Sequence, residues 1–242
     1  MAKIRIDKLL SNMGIGSRSE IKKYAKLGRI RLNHHIEKDS ARIVDTEKDI
    51  VHFDEEVVHY RKYVYLLMNK PQDVISATFD NRHQTVIDLL PDEYQIFDIF
   101  PVGRLDKDTE GLLILTNDGQ LAHELLSPKK HIDKKYFAIV DNILQASHID
   151  HFAQGITLDD GYRTMPAVLE ILKTDENNHS HCHVVIQEGK FHQVKRMFAD
   201  IGMKVVFLKR VQMGNLVLDS DLALGEVREL SESEITSLFQ KE

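Results

Sequence analysis

Gly103-Arg104-Leu105-Asp106-Lys107-Asp108-Thr109-Glu110-Gly111 runs directly into Leu112-Leu113-Ile114-Leu115-Thr116 and the turn Asn117-Asp118-Gly119. A run of aliphatic residues closed by a turn predicts a buried strand, so the charged nonapeptide ahead of it is a loop held against the core. Glycines at its two ends let the backbone bend or approach a partner closely. Leu105, between Arg104 and Asp106, anchors the loop inward. A carboxylate kept beside apolar walls is costly unless it is paired or hydrogen-bonded. This stretch alone fits a structural ion-pair loop as well as an active site, because both perturb carboxylates.

The chain has 242 residues, 42% of them hydrophobic, enough for one large or two modest domains with a proper core. No apolar run approaches the roughly 20 residues of a membrane span, and the start, Met1 to Asp7, lacks a signal-peptide core. The single cysteine, Cys182, excludes an internal disulfide and points to a reducing cytoplasm. The net charge of -6 is unevenly spread: residues 1–38 hold ten lysines and arginines against three acids, a net of +7, and the remainder carries -13. Such asymmetry indicates an N-terminal module for an anionic partner.

Ile6, Leu9, Leu10 and Met13 fall at i, i+3, i+4 and i+7, the apolar face of a short helix that Gly14-Ile15-Gly16 ends. Ser17-Arg18-Ser19-Glu20 has capping-box spacing, with the Ser17 hydroxyl set to accept from the Glu20 amide. It opens a second helix, stopped by Gly28. Arg18, Lys22, Lys26 and Arg29 form one basic stripe along that helix, while Ile21, Ala25 and Tyr24 face inward. Alternating segments at 29–33, 49–53 and 56–60 read as short strands. A basic stripe is ordinarily a solvated face, but the charge excess on a two-helix unit favours docking on phosphates, where lysine and arginine gain from counterion release.

After a joint at Arg61-Lys62 the spacing predicts strands at 63–69, 74–78, 112–116, 136–140, 156–158, 167–173, 182–187, 205–209 and 216–218, the last two leading to the segment 225–230. Helices are expected at 85–90, 120–126, 145–154 and 191–201, and a last one from the capping box Ser231-Glu232-Ser233-Glu234. Many strands with few regular β-α-β alternations indicate an α+β domain on a mainly antiparallel mixed sheet flanked by helices. Val194, Met197, Phe198 and Ile201 commit one helix face to the core, which leaves Lys195 off that face in the first turn, next to Arg196. A buried aspartate needs such a cation to stay ionised. His179, His181 and His183 would share a strand face around Cys182, spacing that admits a metal site; solvent-facing histidines at a hairpin are the plainer account. Asp159-Asp160-Gly161 reads as a turn.

Asp106 in its glycine-bounded loop, Tyr136 after a basic run, and Lys195 within Gly189-Lys190-Phe191-His192-Gln193-Val194-Lys195-Arg196 together resemble pseudouridine synthases, specifically the RsuA branch that modifies ribosomal RNA. The resemblance covers nearly the whole chain. Residues 1–45 resemble the S4-type RNA-binding module of that branch, and Met68-Asn69-Lys70-Pro71 and residues 100–119 match its early motifs. It implies an S4-like domain over residues 1–60 and a pseudouridine synthase domain over 61–242. By the same resemblance, Asp106 is the catalytic carboxylate, Tyr136 stacks on the target uracil, and Lys195 pairs with the aspartate. Arg104 helps hold the displaced nucleotide, and Arg18, Lys22, Lys26, Arg29 and Arg196 are expected on RNA. Where much of the superfamily has a small serine or threonine, this loop has Glu110, a departure without a derived consequence.

The segment Thr164-Met165-Pro166-Ala167-Val168-Leu169-Glu170 resembles the RsuA subfamily, a resemblance that implies small-subunit (16S) over large-subunit (23S) ribosomal RNA as the substrate. The residue types suit the reaction: a carboxylate to attack or stabilise the sugar, an aromatic platform for the free uracil, and a cation beside the carboxylate. The base must leave its stack to be reached. No metal or cofactor is implied, and the expectation is a cytoplasmic bacterial monomer acting on ribosomal RNA or an assembling small subunit, away from membranes. Two other classes stay open: a catalytically silent ribosome-assembly protein that only binds rRNA, and a metal-dependent nuclease built on the histidine and aspartate clusters.

Overall fold

A computed structural model describes residues 3–238, and in it the chain divides into two units: the chain up to Val64 together with Pro91–Asp98, and Tyr65–Leu90 together with the chain from Ile99 onward. In the first, β1 (Lys3–Arg5), α1 (Ile6–Asn12), α2 (Arg18–Lys26), β2 (Ile30–Leu32), β3 (His35–Ile36), β4 (Ile43–Asp45), β5 (Val51–Phe53) and β6 (Glu56–Val57) follow in order. β1 pairs antiparallel with β4, and a small sheet runs in the order β3-β2-β5-β6. Ile6, Leu9 and Leu10 of α1 pack with Ile21 and Ala25 of α2 and with Ile30, Val44 and Val51, the core that the 3.6-residue period sets out.

The start of α2 is held reciprocally. The Glu20 amide donates to Ser17 Oγ at 3.3 Å, and the Ser17 amide donates to Glu20 Oε2 at 2.8 Å. Gly28, at φ +77°, then turns the chain out of the helix. Arg29 therefore does not continue the stripe as expected. It lies beyond the helix, stacks over the rings of Tyr24 and Phe53 at 4.5 and 4.6 Å, and forms an ion pair with Asp54.

In the second unit the elements are β7 (Tyr65–Lys70), β8 (Phe100–Pro101), β9 (Glu110–Thr116), α3 (Gly119–Leu126), β10 (Lys134–Val140), α4 (Ala146–Ala153), β11 (Val168–Thr174), β12 (Ser180–Ile186), α5 (Gln193–Asp200), β13 (Val205–Met213), β14 (Leu216–Val217), β15 (Val227–Glu229) and α6 (Glu232–Ser237). The main sheet runs β11-β12-β10-β13-β9-β7-β15, with β14 on β13 and β8 on β9. Its pairings are antiparallel except one. β13 and β9 run parallel, joined only through Lys209 with Glu110 and Arg210 with Gly111.

That short parallel seam divides the sheet into halves. Gly111, at φ +104°, lies on it, and a Cβ there would come within 2.2 Å of the Arg210 carbonyl oxygen. Arg210, 3% exposed, crosses the seam with its side chain and donates from Nε to the Leu112 carbonyl at 2.7 Å. Leu67, Leu112 and Ile114 pack with Leu121 and Leu125 of α3 and with Met213 and Leu216. In the other half, Phe152 of α4 meets Phe198 of α5 with ring centroids 5.1 Å apart.

Three expected elements are absent. Residues 74–78 form a loop with a single bridge, Ile75 to Thr85, because the Ser76 hydroxyl bonds to the backbone of Leu105 instead of leaving room for a ladder. Residues 85–90 are a turn: the Thr85 amide and hydroxyl both donate to Asp88 Oδ2, at 2.7 and 3.0 Å, and satisfy locally what a helix would need. Residues 156–158 contribute only the bridge between Thr157 and Arg163 around the Asp159-Asp160-Gly161 turn. β9 also begins earlier than expected, at Glu110, so the charged loop is residues 103–109. No helix among the described residues is long and apolar enough to cross a membrane.

Candidate active site

The loop before β9 is fixed by its backbone. The Leu105 amide donates to Ser76 Oγ and that hydroxyl donates to the Leu105 carbonyl, each at 3.0 Å. The Leu105 side chain is buried, as its place between two charged residues suggests. Lys70, the last residue of β7, is fully buried beneath the loop. Its ammonium donates to the carbonyls of Pro71 at 2.9 Å, Thr109 at 3.0 Å and Asp106 at 3.1 Å, with the Lys107 carbonyl more distant at 3.5 Å. Burial pushes its pKa down to about 8, against the pull of Asp106, Asp108 and Glu110. A buried cation thus holds the main chain of the loop, and its carboxylates are left for other partners.

Lys195, in the first turn of α5, takes that place. Its Nζ lies 3.0 Å from Asp106 Oδ2 and 2.5 Å from Asp108 Oδ1. Partial loss of hydration works against charge on Lys195 and, although its side chain is mostly exposed, on Asp108, but their hydrogen bond and attraction outweigh it, raising the lysine pKa and lowering that of the aspartate. His192 Nε2 faces the second oxygen of Asp106 from 3.7 Å. His192 is held at φ +49° as the residue before α5, and its ring stacks on Phe191 with centroids 3.8 Å apart. Phe191 itself is 72% exposed.

Between these groups lies an open pocket bounded by Leu105, Asp106, Tyr136, Gln193, Lys195 and Leu208. Tyr136, on β10, is 8% exposed and faces into it. Arg104 lies at its margin and is exposed. Gln193 fixes the entry to α5: its Oε1 accepts from the Lys190 amide at 2.9 Å, and its Nε2 donates to Glu188 at 2.8 Å. Glu188 also accepts from the Tyr162 hydroxyl at 2.6 Å. Asp106 comes from one half of the sheet and Tyr136 and Lys195 from the other, so the pocket straddles the parallel seam. A flat ring can enter beside a paired carboxylate and an aromatic side chain.

The structure brings Asp106, Tyr136, Lys195 and Arg104 to one pocket. It does not bring Arg196, whose guanidinium donates from Nε to Asp159 at 2.6 Å and pairs with Asp160 at 2.8 Å, so its charge is matched within the chain. Arg18, Lys22 and Lys26 are exposed on α2 in the first unit and make no ion pair with another described residue. His179 and His181 meet Asp175, and His183 meets Glu170. Cys182 lies buried on the opposite face, and no group of metal-binding side chains gathers among the described residues. Asp108, Lys70, His192 and Gln193 carried no role in the sequence reading. Of these, Lys70 had a visible signal, a charge ending the apolar run Leu66-Leu67-Met68.

Comparisons with known proteins agree with this layout. Residues 64–200 match the RNA pseudouridylate synthase family, and residues 4–51 match the S4 domain. The chain is 49% identical to the uncharacterized RNA pseudouridine synthase YtzG of Bacillus subtilis, over 96% of this chain and 97% of that one. It is 34% identical to ribosomal small subunit pseudouridine synthase A of Escherichia coli, over 97% of this chain and all of the relative. A solved structure, described as a pseudouridylate synthase, superposes with a TM-score of 0.68 at 34% identity, covering 97% of this chain and 99% of its own.

Proposed function

The chain belongs to the RNA pseudouridylate synthase family, and on that premise we propose that it isomerises a uridine of small-subunit (16S) ribosomal RNA, with Asp106, Tyr136 and Lys195 at the reacting base. The observation that carries the assignment is the Lys195 ammonium on Asp106 in a pocket that Tyr136 also lines. The reaction breaks the bond from C1′ to N1, turns the uracil, and joins C1′ to C5; N1 gains a proton and C5 loses one, so nothing is oxidised or hydrolysed. Asp106 supplies the carboxylate that attacks or stabilises the ribose, and the Lys195 ammonium donates to its Oδ2 at 3.0 Å. Tyr136 offers its ring to hold the detached uracil by stacking. Arg104, exposed at the rim, suits a phosphate of the extruded nucleotide.

Arg18, Lys22 and Lys26, solvated on the S4 unit, supply sequence-independent attraction to the RNA backbone. The small-subunit target follows the relative from Escherichia coli, and with it goes work in the cytoplasm as a monomer. Asp106→Asn is expected to bind ribosomal RNA like the parent and release no tritium from uridine labelled at C5. Turnover by that variant sinks the role of Asp106. Carbodiimide mapping of both ribosomal RNAs, from cells with and without the gene, tests the target: loss of a large-subunit pseudouridine instead would reassign it.

A further inference from the structure

Lys195 is shared between two carboxylates, and unequally. The shorter contact is to Asp108, 2.5 Å against 3.0 Å to Asp106. The second consequence concerns Asp106 itself. Its Oδ2 accepts from Lys195, whereas Oδ1 accepts no hydrogen bond from a described residue and faces His192 Nε2 only at 3.7 Å. A lysine side chain carries about 2 kcal/mol of rotamer entropy. With Asp106 as its only anchor, such a chain would be free to settle between both carboxylate oxygens.

Resting on the reading of Asp106 as the reacting carboxylate, we propose that Asp108 is a positioning residue: it tethers the Lys195 ammonium to one side of Asp106, so that the cation engages Oδ2 and leaves Oδ1 open to C1′ of the ribose. Asp108 approaches from the same loop two residues on, and the carbonyl clamp of Lys70 fixes the spacing between the two carboxylates. Releasing the tether lets the ammonium move in front of Oδ1, where it blunts the oxygen toward an electron-poor sugar carbon. Two plainer roles predict something else. Asp108 is 70% exposed, and as an ordinary surface ion pair it would be close to silent when removed. As an anion beside an anionic RNA, acting on binding alone, it would change KM and leave kcat untouched.

The test measures tritium release from ribosomal RNA labelled with [5-³H]uridine, in the RNA preparation that the unaltered full chain turns over, with melting temperatures recorded in parallel. Asp108→Ala is expected to lower kcat by about ten- to a hundred-fold, the worth of a charge-assisted hydrogen bond, with KM unchanged or lower and the melting temperature unmoved. Asp108→Asn keeps an oxygen acceptor within reach of Nζ, and is expected to narrow the loss to about three- to ten-fold, since a neutral acceptor retains about half the strength. The proposal is overturned if Asp108→Ala keeps kcat within about two-fold of the parent, if its effect lies wholly in KM, or if Asp108→Asn falls as far as the alanine variant. Asp106→Asn, run alongside, separates this from the underlying reading. Residual turnover there defeats the role of Asp106, whereas a dead Asp106→Asn beside a fully active Asp108→Ala defeats the tether alone.

Discussion

Lysine and arginine serve two regions of this molecule on opposite terms. On α2 the side chains of Arg18, Lys22 and Lys26 stand in solvent without ion-pair partners among the described residues. Around the pocket, Lys70 is buried under three carbonyls, and Lys195 is bound to two carboxylates. A solvated cation acts at a distance, on any phosphate, and salt weakens it. A desolvated cation acts only on the groups it touches, and its geometry matters more than its charge. Arg29 and Arg196 show that sequence position does not decide which kind a residue becomes, since each is exposed in sequence pattern yet paired with an aspartate.

The contrast can be broken most severely at the framework that holds the pocket cations. Gly111→Ala places a Cβ within 2.2 Å of the Arg210 carbonyl at φ +104°, and is expected to cost about 3 kcal/mol or more, the scale of enforced backbone strain with a steric clash. Thermal melting should show a large drop, with tritium release lost alongside. Next comes Lys195→Ala, expected to reduce kcat about a hundred-fold through loss of a charge-assisted contact. Its RNA affinity should keep the parent's salt dependence, because this cation is already committed within the chain. A flattened salt slope would place Lys195 on phosphate and collapse the contrast.

A smaller effect is expected from pH. Burial holds Lys70 and Lys134 at about 8, so each gives up its proton well below the value it has in the unfolded chain. Between that point and the unfolded value the unfolded state binds more protons, so these groups' contribution to stability rises with pH. The Lys70 clamp nonetheless loses one donor. Tritium release should therefore decline several-fold above pH about 8, with no fall in melting temperature from these two groups, and the decline should persist in Lys134→Met. Smallest is the solvated set. Lys22→Ala with Lys26→Ala should weaken RNA binding and reduce the slope of log affinity against log salt by about 0.7 to 0.9 per lysine, whereas Arg29→Ala, paired with Asp54, should leave the slope unchanged.

The same contrast explains how much the sequence revealed. The helices of the first unit and both serine capping boxes were legible, because hydrophobic period and capping chemistry are local. Asp106, Tyr136 and Lys195 could be nominated only together, by their resemblance to a family. The Lys70 clamp, the Asp108 contact and the fate of Arg29 and Arg196 depend on partners fixed by tertiary structure, between 25 and 87 positions apart for Arg29 and Lys195. The expected strand at 74–78 and helix at 85–90 failed for a related reason. Ser76 and Asp88 satisfy backbone groups that a ladder or a helical turn would otherwise need.

The parallel seam has a further meaning for how the protein is made. β9 is synthesised nearly a hundred residues before its neighbour β13, and the two touch through only two residue pairs. The loop carrying Asp106 can be clamped by Lys70 as soon as β7 and β9 have paired, but Tyr136 and Lys195 stand on the far half of the sheet. The carboxylate loop and its clamp thus lie within residues 65–116, whereas the aromatic wall and the cation of the pocket come from residues further along the chain.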